Sequence, residues 1–221
     1  MITAGIATLK ERESLFREAI SSVYSQVDSI IAVLNNYDSV PKWLSDMPKV
    51  KALVGDNSLG DAGKFLEVDN VPDGAYFSID DDLVYPVNYV DYMISKIEQY
   101  HCIVTLHGKR YDSHPIQSFK RGKTLNIHCL NTCTKDAEVH LGGTGVMAFA
   151  TKDFKLSIKD FPKKNMADIW VGKKAKEQGV KIMAVEHSRY FLKYLNPKGD
   201  TIWNSNKDDV YQASVLRSFL P

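Results

Sequence analysis

Alternation limits the fold of this chain more than any other feature. Between residues 2 and 97, short apolar runs of strand length take turns with segments whose apolar residues recur at helical spacing. The runs are 2–8, 29–34, 50–54 and 75–79. After the first, Leu15, Phe16, Ala19, Ile20, Val23 and Tyr24 fall on one face of a helix. Pro41 opens a short helix at the position where its missing N–H does no harm. Residues 60–68 form another short helix, and Pro86 opens a longer one with Val90, Met93, Ile94 and Ile97 facing inward. Strand–helix–strand units with short joints close as crossovers. The expected class is therefore α/β, a mostly parallel central sheet with helices on both faces.

The pattern loosens after Tyr100. Residues 102–106 read as a strand, and 113–139 as short strands and polar turns with many basic residues, a smaller, irregular antiparallel portion. Residues 146–150 form a strand preceded by Gly142-Gly143-Thr144-Gly145. A helix over 166–178 stops at Gly179, followed by a strand at 181–185. A last helix is expected over 206–219, with Ser205 and Asp208 as an approximate capping box. Residues 1–221 read as one domain, without repeats or linkers.

Three aspartates, Asp80-Asp81-Asp82, end the fourth apolar run. Carboxylates so close repel one another unless something positive sits between them. Oxygen ligands favour a hard divalent cation, Mg2+ or Mn2+. Ligands of open α/β sheets collect beyond the carboxyl ends of the strands, so a metal holding a diphosphate is the first reading. Three further segments converge on it. Residues 57–65 carry Gly60, Asp61, Gly63 and Lys64, a glycine-rich entry to a helix with a lysine for phosphate, though without Walker spacing. Asp168 lies at a helix start beside Trp170, where a cap and a catalytic base look alike. His187 follows the strand at 181–185 and has the chemistry of a metal ligand.

Charge and cysteines narrow the setting. Lys+Arg 28 against Asp+Glu 27 leaves no basic excess for nucleic acid or an anionic membrane. No apolar run approaches the roughly 20 residues that span a bilayer, so no transmembrane segment is expected. Lys10, Glu11 and Arg12 come too early for a secretory signal. Cys102, Cys129 and Cys133 form no CxxC and fit a reducing compartment, so a cytoplasmic location is expected. His128, Cys129 and Cys133 resemble half a zinc site without a second ligand pair.

Taken in order, the 2–8 strand, the helix with Ser22 and Gln26, the Asn35-Asn36 strand end, Gly60-Asp61-Ala62-Gly63-Lys64, the triple aspartate, Gly142-Gly143-Thr144-Gly145 and Met166-Ala167-Asp168-Ile169-Trp170 resemble a GT-A (Rossmann-like) glycosyltransferase of the inverting, family-2-like kind. The compact size also resembles small glycosyltransferase domains of large DNA viruses. The resemblance implies a nucleotide-binding half over 1–100 and an acceptor-binding, catalytic half over 101–221. It places Thr8, Leu9, Arg12, Asn35 and Asn36 beside the base, where many members have an aspartate after the second strand. Asp61, Lys64 and Asp81 lie along the nucleotide, with Asp80 on the ribose or the metal. Asp80, Asp82 and His187 hold Mn2+ or Mg2+. Gly143 and Thr144 sit beside donor sugar and acceptor, and Asp168 is the catalytic base, with Ala167 where the family often has glutamate. The implied partners are a nucleotide-sugar donor, UDP-linked by expectation, and a hydroxyl of a glycan or other acceptor.

Two other classes stay open. A sugar-nucleotide nucleotidyltransferase shares fold and metal, but its glycine-rich Arg/Lys signature is missing from Ala4-Gly5-Ile6-Ala7-Thr8-Leu9-Lys10. A non-enzymatic metal- or sugar-binding module would use the aspartates only to hold an ion.

Overall fold

The computed structural model describes residues 1–112, 114–196 and 209–220. The first half follows the alternation: β1 (Ile2–Leu9), α1 (Glu13–Val23), β2 (Ser29–Asn35), α2 (Lys42–Ser45), β3 (Val50–Gly55) and β4 (Ala75–Ile79). The expected helix at 60–68 is a tighter 3-10 turn, Gly60–Phe65. Next come β5 (Leu83–Val84) and α3 (Tyr89–Tyr100). The second half holds β6 (Ile103–Thr105), β7 (Gly108–Arg110), β8 (Leu125–Ile127), β9 (Ala137–Val139), β10 (Leu141–Gly142) and β11 (Val146–Ala150). It continues with α4 (Ala167–Gln178), β12 (Ile182–Ala184), β13 (Lys193–Tyr194) and α5 (Asp209–Arg217). The expected cap at Ser205 and Asp208 lies outside the described residues.

Eight strands form the central sheet in the order β3-β2-β1-β4-β11-β6-β12-β9. β1 pairs in parallel with β2 and β4, and β2 with β3. β11 enters antiparallel between β4 and β6, and β9 closes the far edge antiparallel to β12. The sheet is thus mostly parallel, as expected. Two small antiparallel sheets, β10-β7-β8 and β13-β5, sit beside it. Among the described residues, no helix is long and apolar enough to cross a membrane.

Strand periodicity divides the core. Successive side chains of a strand point to opposite faces. Phe77 and Ile79 therefore pack with Phe16, Ile20 and Met93 from α1 and α3, whereas Tyr76 packs on the other face with Phe65, Phe149 and Ile169. Helix α1 stays amphipathic, burying Phe16, Ala19, Ile20 and Val23. Gly179 takes a left-handed conformation, φ 68°, and ends α4 as expected.

The reversed entry of β11 shapes the site. Its register sets Val146 opposite Ile79, which brings Thr144 and Gly145 against the carboxyl end of β4. The Ser78 hydroxyl donates to the Thr144 carbonyl at 2.6 Å. The Tyr85 hydroxyl donates to the Gly145 carbonyl at 2.6 Å and accepts from the Asp80 amide at 2.8 Å, and Tyr85 is buried. Any side chain at 145 would displace the Asp80 carboxylate, because a Cβ there would fall 1.9 Å from Asp80 Oδ2. Tyr85→Phe should cost about 1–3 kcal/mol in urea unfolding, since it strands a half-buried amide and a buried carbonyl. An unchanged unfolding midpoint would show that water replaces the hydroxyl.

Candidate active site

Two adjoining cavities open beyond the carboxyl ends of β1 and β4, and Asp61, Lys64, Asp80 and Asn165 line both. The first, about 290 Å³, is bounded by Thr8, Leu9, Arg12, Asn35, Asp81 and Asp82. The second, about 260 Å³, is bounded by His107, Lys109, Lys120, Gly143, Thr144, Asp168 and Gln212. The sheet thus collects on one rim residues that lie as far apart in sequence as Thr8 and Gln212. Asn36 is exposed, has φ 60°, and bounds neither cavity.

The three aspartates play different parts. Asp81 is buried and turned inward, accepting from the Thr8 hydroxyl at 2.7 Å and from Arg12 at 3.0 Å. Asp80 pairs with the buried Lys64 ammonium. Burial works against that ammonium, and Asp80, helped by Asp61 and Asp168, more than offsets it, so the Lys64 pKa is raised. Asp82 has the weakest compensation, with Arg12 at 3.6 Å. Burial, then the charges of Asp80 and Asp81, push it up to about 7. Three carboxylates thus face two committed cations, and the excess negative charge falls on Asp82. This donor set fits a hard divalent cation. The C-terminal part braces the turn: β13 pairs with β5, and the Leu195 amide donates to the Asp82 carbonyl at 2.9 Å.

The second cavity is built around the start of α4. Asp61 accepts from the backbone amides of Asn165 at 2.7 Å and Ala167 at 3.0 Å, so a carboxylate from the first half caps a helix of the second. Burial pushes Asp61 up to about 6, against the pull of Lys64. Asp168, the next residue of the same first turn, accepts from both the amide and the hydroxyl of Thr144 at 2.9 Å. Both bonds fall on Oδ1, which orients the carboxylate in the cavity.

His187 lies elsewhere. It pairs with Cys133 in an isolated bridge, its Nδ1 is 2.8 Å from the Val185 carbonyl, and its Nε2 is 3.4 Å from the His128 carbonyl. It lines neither cavity and would have to turn from both carbonyls to join Asp82. Among the described residues, the histidines that meet Cys129 are His107 and the cysteine's sequence neighbour His128. His107, His128 and Cys129 bring one potential ligand atom each within 4.8 Å of one another, and Cys133 stays out. Burial lowers His107 to about 4 and raises Cys129 to about 12, so at neutral pH they are a free imidazole and a thiol. Of the basic residues between 107 and 121, Lys109 is buried with its ammonium 4.0 Å from the Phe119 ring centroid, whereas Arg110 pairs with Asp112. Neither Gln212, which α5 carries in, nor the Tyr85 bridge has a signal in the sequence.

Solved structures share this architecture. S. aureus TarS 1–349 in complex with UDP-GlcNAc superposes with a TM-score of 0.59 at 10% identity, over 98% of this chain and 65% of that one. The fold is GT-A. The same TarS fragment with UDP gives 0.51 at 10% identity, over 82% and 57%. The inositol-1-phosphate CTP transferase from T. maritima gives 0.55 at 14% identity, over 99% and 97%. The chain spans less than two thirds of the TarS fragment's length. No protein-family profile and no curated protein matches it. The two TarS structures hold UDP-GlcNAc and UDP, and the T. maritima protein is a CTP transferase.

Asp82 makes stability depend on pH with a definite sign. Its carboxyl holds a proton more tightly folded than unfolded, where the ordinary value is about 4. That contribution is complete below pH 4 and is lost as pH rises to about 7. In chelator-treated protein, Asp82→Asn should therefore be more stable than wild type at pH 8, on the order of a few kcal/mol at about 1.4 kcal/mol per pK unit. The difference should vanish near pH 4. A variant no more stable at pH 8 would contradict the charge excess at Asp82.

Proposed function

We propose that the protein is an inverting glycosyltransferase that moves a sugar from a nucleotide diphosphate sugar, a UDP-sugar in this reading, to an acceptor hydroxyl. The observation that carries the reading is the division of labour between the cavities. A metal-fitting carboxylate turn and two cations lie on one side of Asp80, and a fixed carboxylate, Asp168, lies on the other. The UDP-GlcNAc complex of TarS supports the choice of donor.

In this reading Asp82, with Asp80, holds Mn2+ or Mg2+, and the bound cation offsets charge building on the departing diphosphate. Arg12 and Lys64 are the cations nearest to the nucleotide phosphates, and Thr8, Leu9 and Asn35 bound the space for the nucleoside. Thr144 fixes Asp168 through Oδ1, leaving Oδ2 for the acceptor. The acceptor oxygen bonds to the anomeric carbon as that carbon's bond to the diphosphate oxygen breaks. The acceptor's proton passes to Asp168, and the bonding pair leaves on the nucleotide. One base opposite the leaving group gives inversion.

A second reading, transfer of a nucleotidyl group from CTP to a sugar phosphate, is favoured by the match to the T. maritima transferase along its whole length. A phosphate nucleophile is already ionised and needs no base, and it would meet the Asp168 carboxylate. One assay separates the two. With Mn2+ and a UDP-sugar, the glycosyltransferase reading expects UDP release. Pyrophosphate release from CTP and a sugar phosphate, without UDP release from any UDP-sugar, would replace it.

Two variants test the assignments. Asp82→Asn should abolish Mn2+-dependent UDP binding measured by calorimetry; wild-type affinity would remove Asp82 from the metal site. Asp168→Asn should keep UDP binding and lose transfer by about 10²-fold or more, the scale of general-base catalysis. Normal turnover would sink the assigned base.

A further inference from the structure

His128 and Cys129 are neighbours in the chain, and the pairing of β7 with β8 brings a third group to them. Gly108 pairs with Ile127 at the end of that antiparallel ladder, so one step further His107 stands across from His128. The two rings lie 4.9 Å apart between centroids. The chain then turns, with the Asn131 amide donating to the His128 carbonyl at 2.9 Å, and the buried Cys129 falls on the same rim. One ligand atom from each of the three lies within 4.8 Å of the others.

These groups are held, and their ligand atoms are open to an ion. The His107 amide donates to the Thr105 hydroxyl at 3.2 Å, and the His107 carbonyl accepts from the Gly143 amide at 2.7 Å, which fixes the backbone on both sides of the ring. Among the described residues, no hydrogen bond engages the His107 ring nitrogens. The His128 ring is exposed, and its Nδ1 accepts one long bond, 3.3 Å, from the Leu130 amide, so it can turn. His107 and Cys129 line the second cavity. The negative charges of Asp168 and Asp80 reach His107 and favour a cation, whereas Lys109 opposes one and keeps both rings in the neutral form that ligates.

The donor set decides which ion fits. Two imidazoles and a sulfur suit a borderline metal such as Zn2+, while the carboxylates of the Asp80–Asp82 turn suit a hard one. Zinc bonds of about 2.0–2.3 Å put tetrahedral ligand atoms about 3.5 Å apart. Turning the exposed His128 ring closes a gap of that size.

We infer that His107, His128 and Cys129 form a second metal site, a three-ligand Zn2+ site whose fourth position opens on the cavity that Asp168 lines. The sulfur binds as thiolate, and its proton passes to the solvent as the ion enters. The site shares no ligand with the aspartate turn and stands independently of the glycosyltransferase reading.

The test is a Co2+ titration of the full, chelator-treated chain in excess Mg2+, which occupies oxygen sites and leaves sulfur alone. Co2+ reports its ligands by absorption. The expected result is a near-ultraviolet thiolate-to-cobalt band with the strong visible bands of a tetrahedral ion, saturating at a single Co2+ per chain and erased by Zn2+. Cys129→Ser should remove the near-ultraviolet band, and His128→Gln should weaken Co2+ binding about tenfold or more, since even partners beyond the ligand shell are worth that much. Cys133→Ser should leave the bands unchanged. His128 is exposed, so its variant decides the matter even where circular dichroism shows Cys129→Ser to be misfolded. Absence of a thiolate band, a band that survives Cys129→Ser, or Co2+ binding unaffected by His128→Gln would overturn the site. Asp82→Asn should keep the cobalt bands, so either outcome here leaves the donor reading to its own tests; bands lost with Asp82 would place the ion on the aspartate turn and overturn the second site.

Discussion

The buried Lys64 ammonium on the Asp80 carboxylate is the interaction on which the rest of the site depends. Lys64 sits in the 3-10 turn after β3, and Asp80 directly follows β4, so the pair ties a loop to the sheet at the point shared by both cavities. A lysine this deep stays charged only with a carboxylate beside it. Three residues earlier on the same turn, Asp61 reaches across to cap α4. One short segment thus sets both the Asp80 carboxylate and the helix that carries Asp168.

This arrangement explains why three consecutive aspartates tolerate one another. Asp81 is spent on Thr8 and Arg12, holding β1 against β4. Asp80 is spent on Lys64. Of the three, Asp82 has the weakest compensation, and it lines the cavity bounded by Thr8, Arg12 and Asn35. Removing one partner from such a network leaves a buried charge uncompensated, which is far more damaging than losing a surface ion pair.

Much of this was legible in the sequence because periodicity reports burial. The four leading strands, α1, α3 and the end of α4 at Gly179 follow from apolar spacing and a single glycine. The aspartate turn was legible through its like charges, whereas the turn of Asp81 onto Thr8 and Arg12 was not. What stayed hidden depends on long-range pairing. The two-residue strands β5 and β13 carry too few residues for any period. His187 follows a strand, as expected, but its ring is drawn to the Val185 and His128 carbonyls, an outcome that depends on the bridge to Cys133. His107 and Cys129 meet only because β6 and the β8–β9 segment fold over the same rim, and Gln212 belongs to the cavity only because α5 docks there. Asn36 shows the reverse: its neighbour Asn35 lines the cavity, and a positive φ carries Asn36 out of it.

The central claim is that the Asp80–Asp82 turn holds a cation on a sugar-nucleotide diphosphate whose sugar points at Asp168. A crystal structure of the protein soaked with UDP-GlcNAc and Mn2+ tests it most directly, because manganese is located by its anomalous scattering. The account predicts manganese on Asp82, the uridine between Thr8 and Asn35, and the anomeric carbon facing the Asp168 carboxylate. Manganese at His107, His128 and Cys129 instead, or a nucleotide bound away from Arg12 and Lys64, would contradict it.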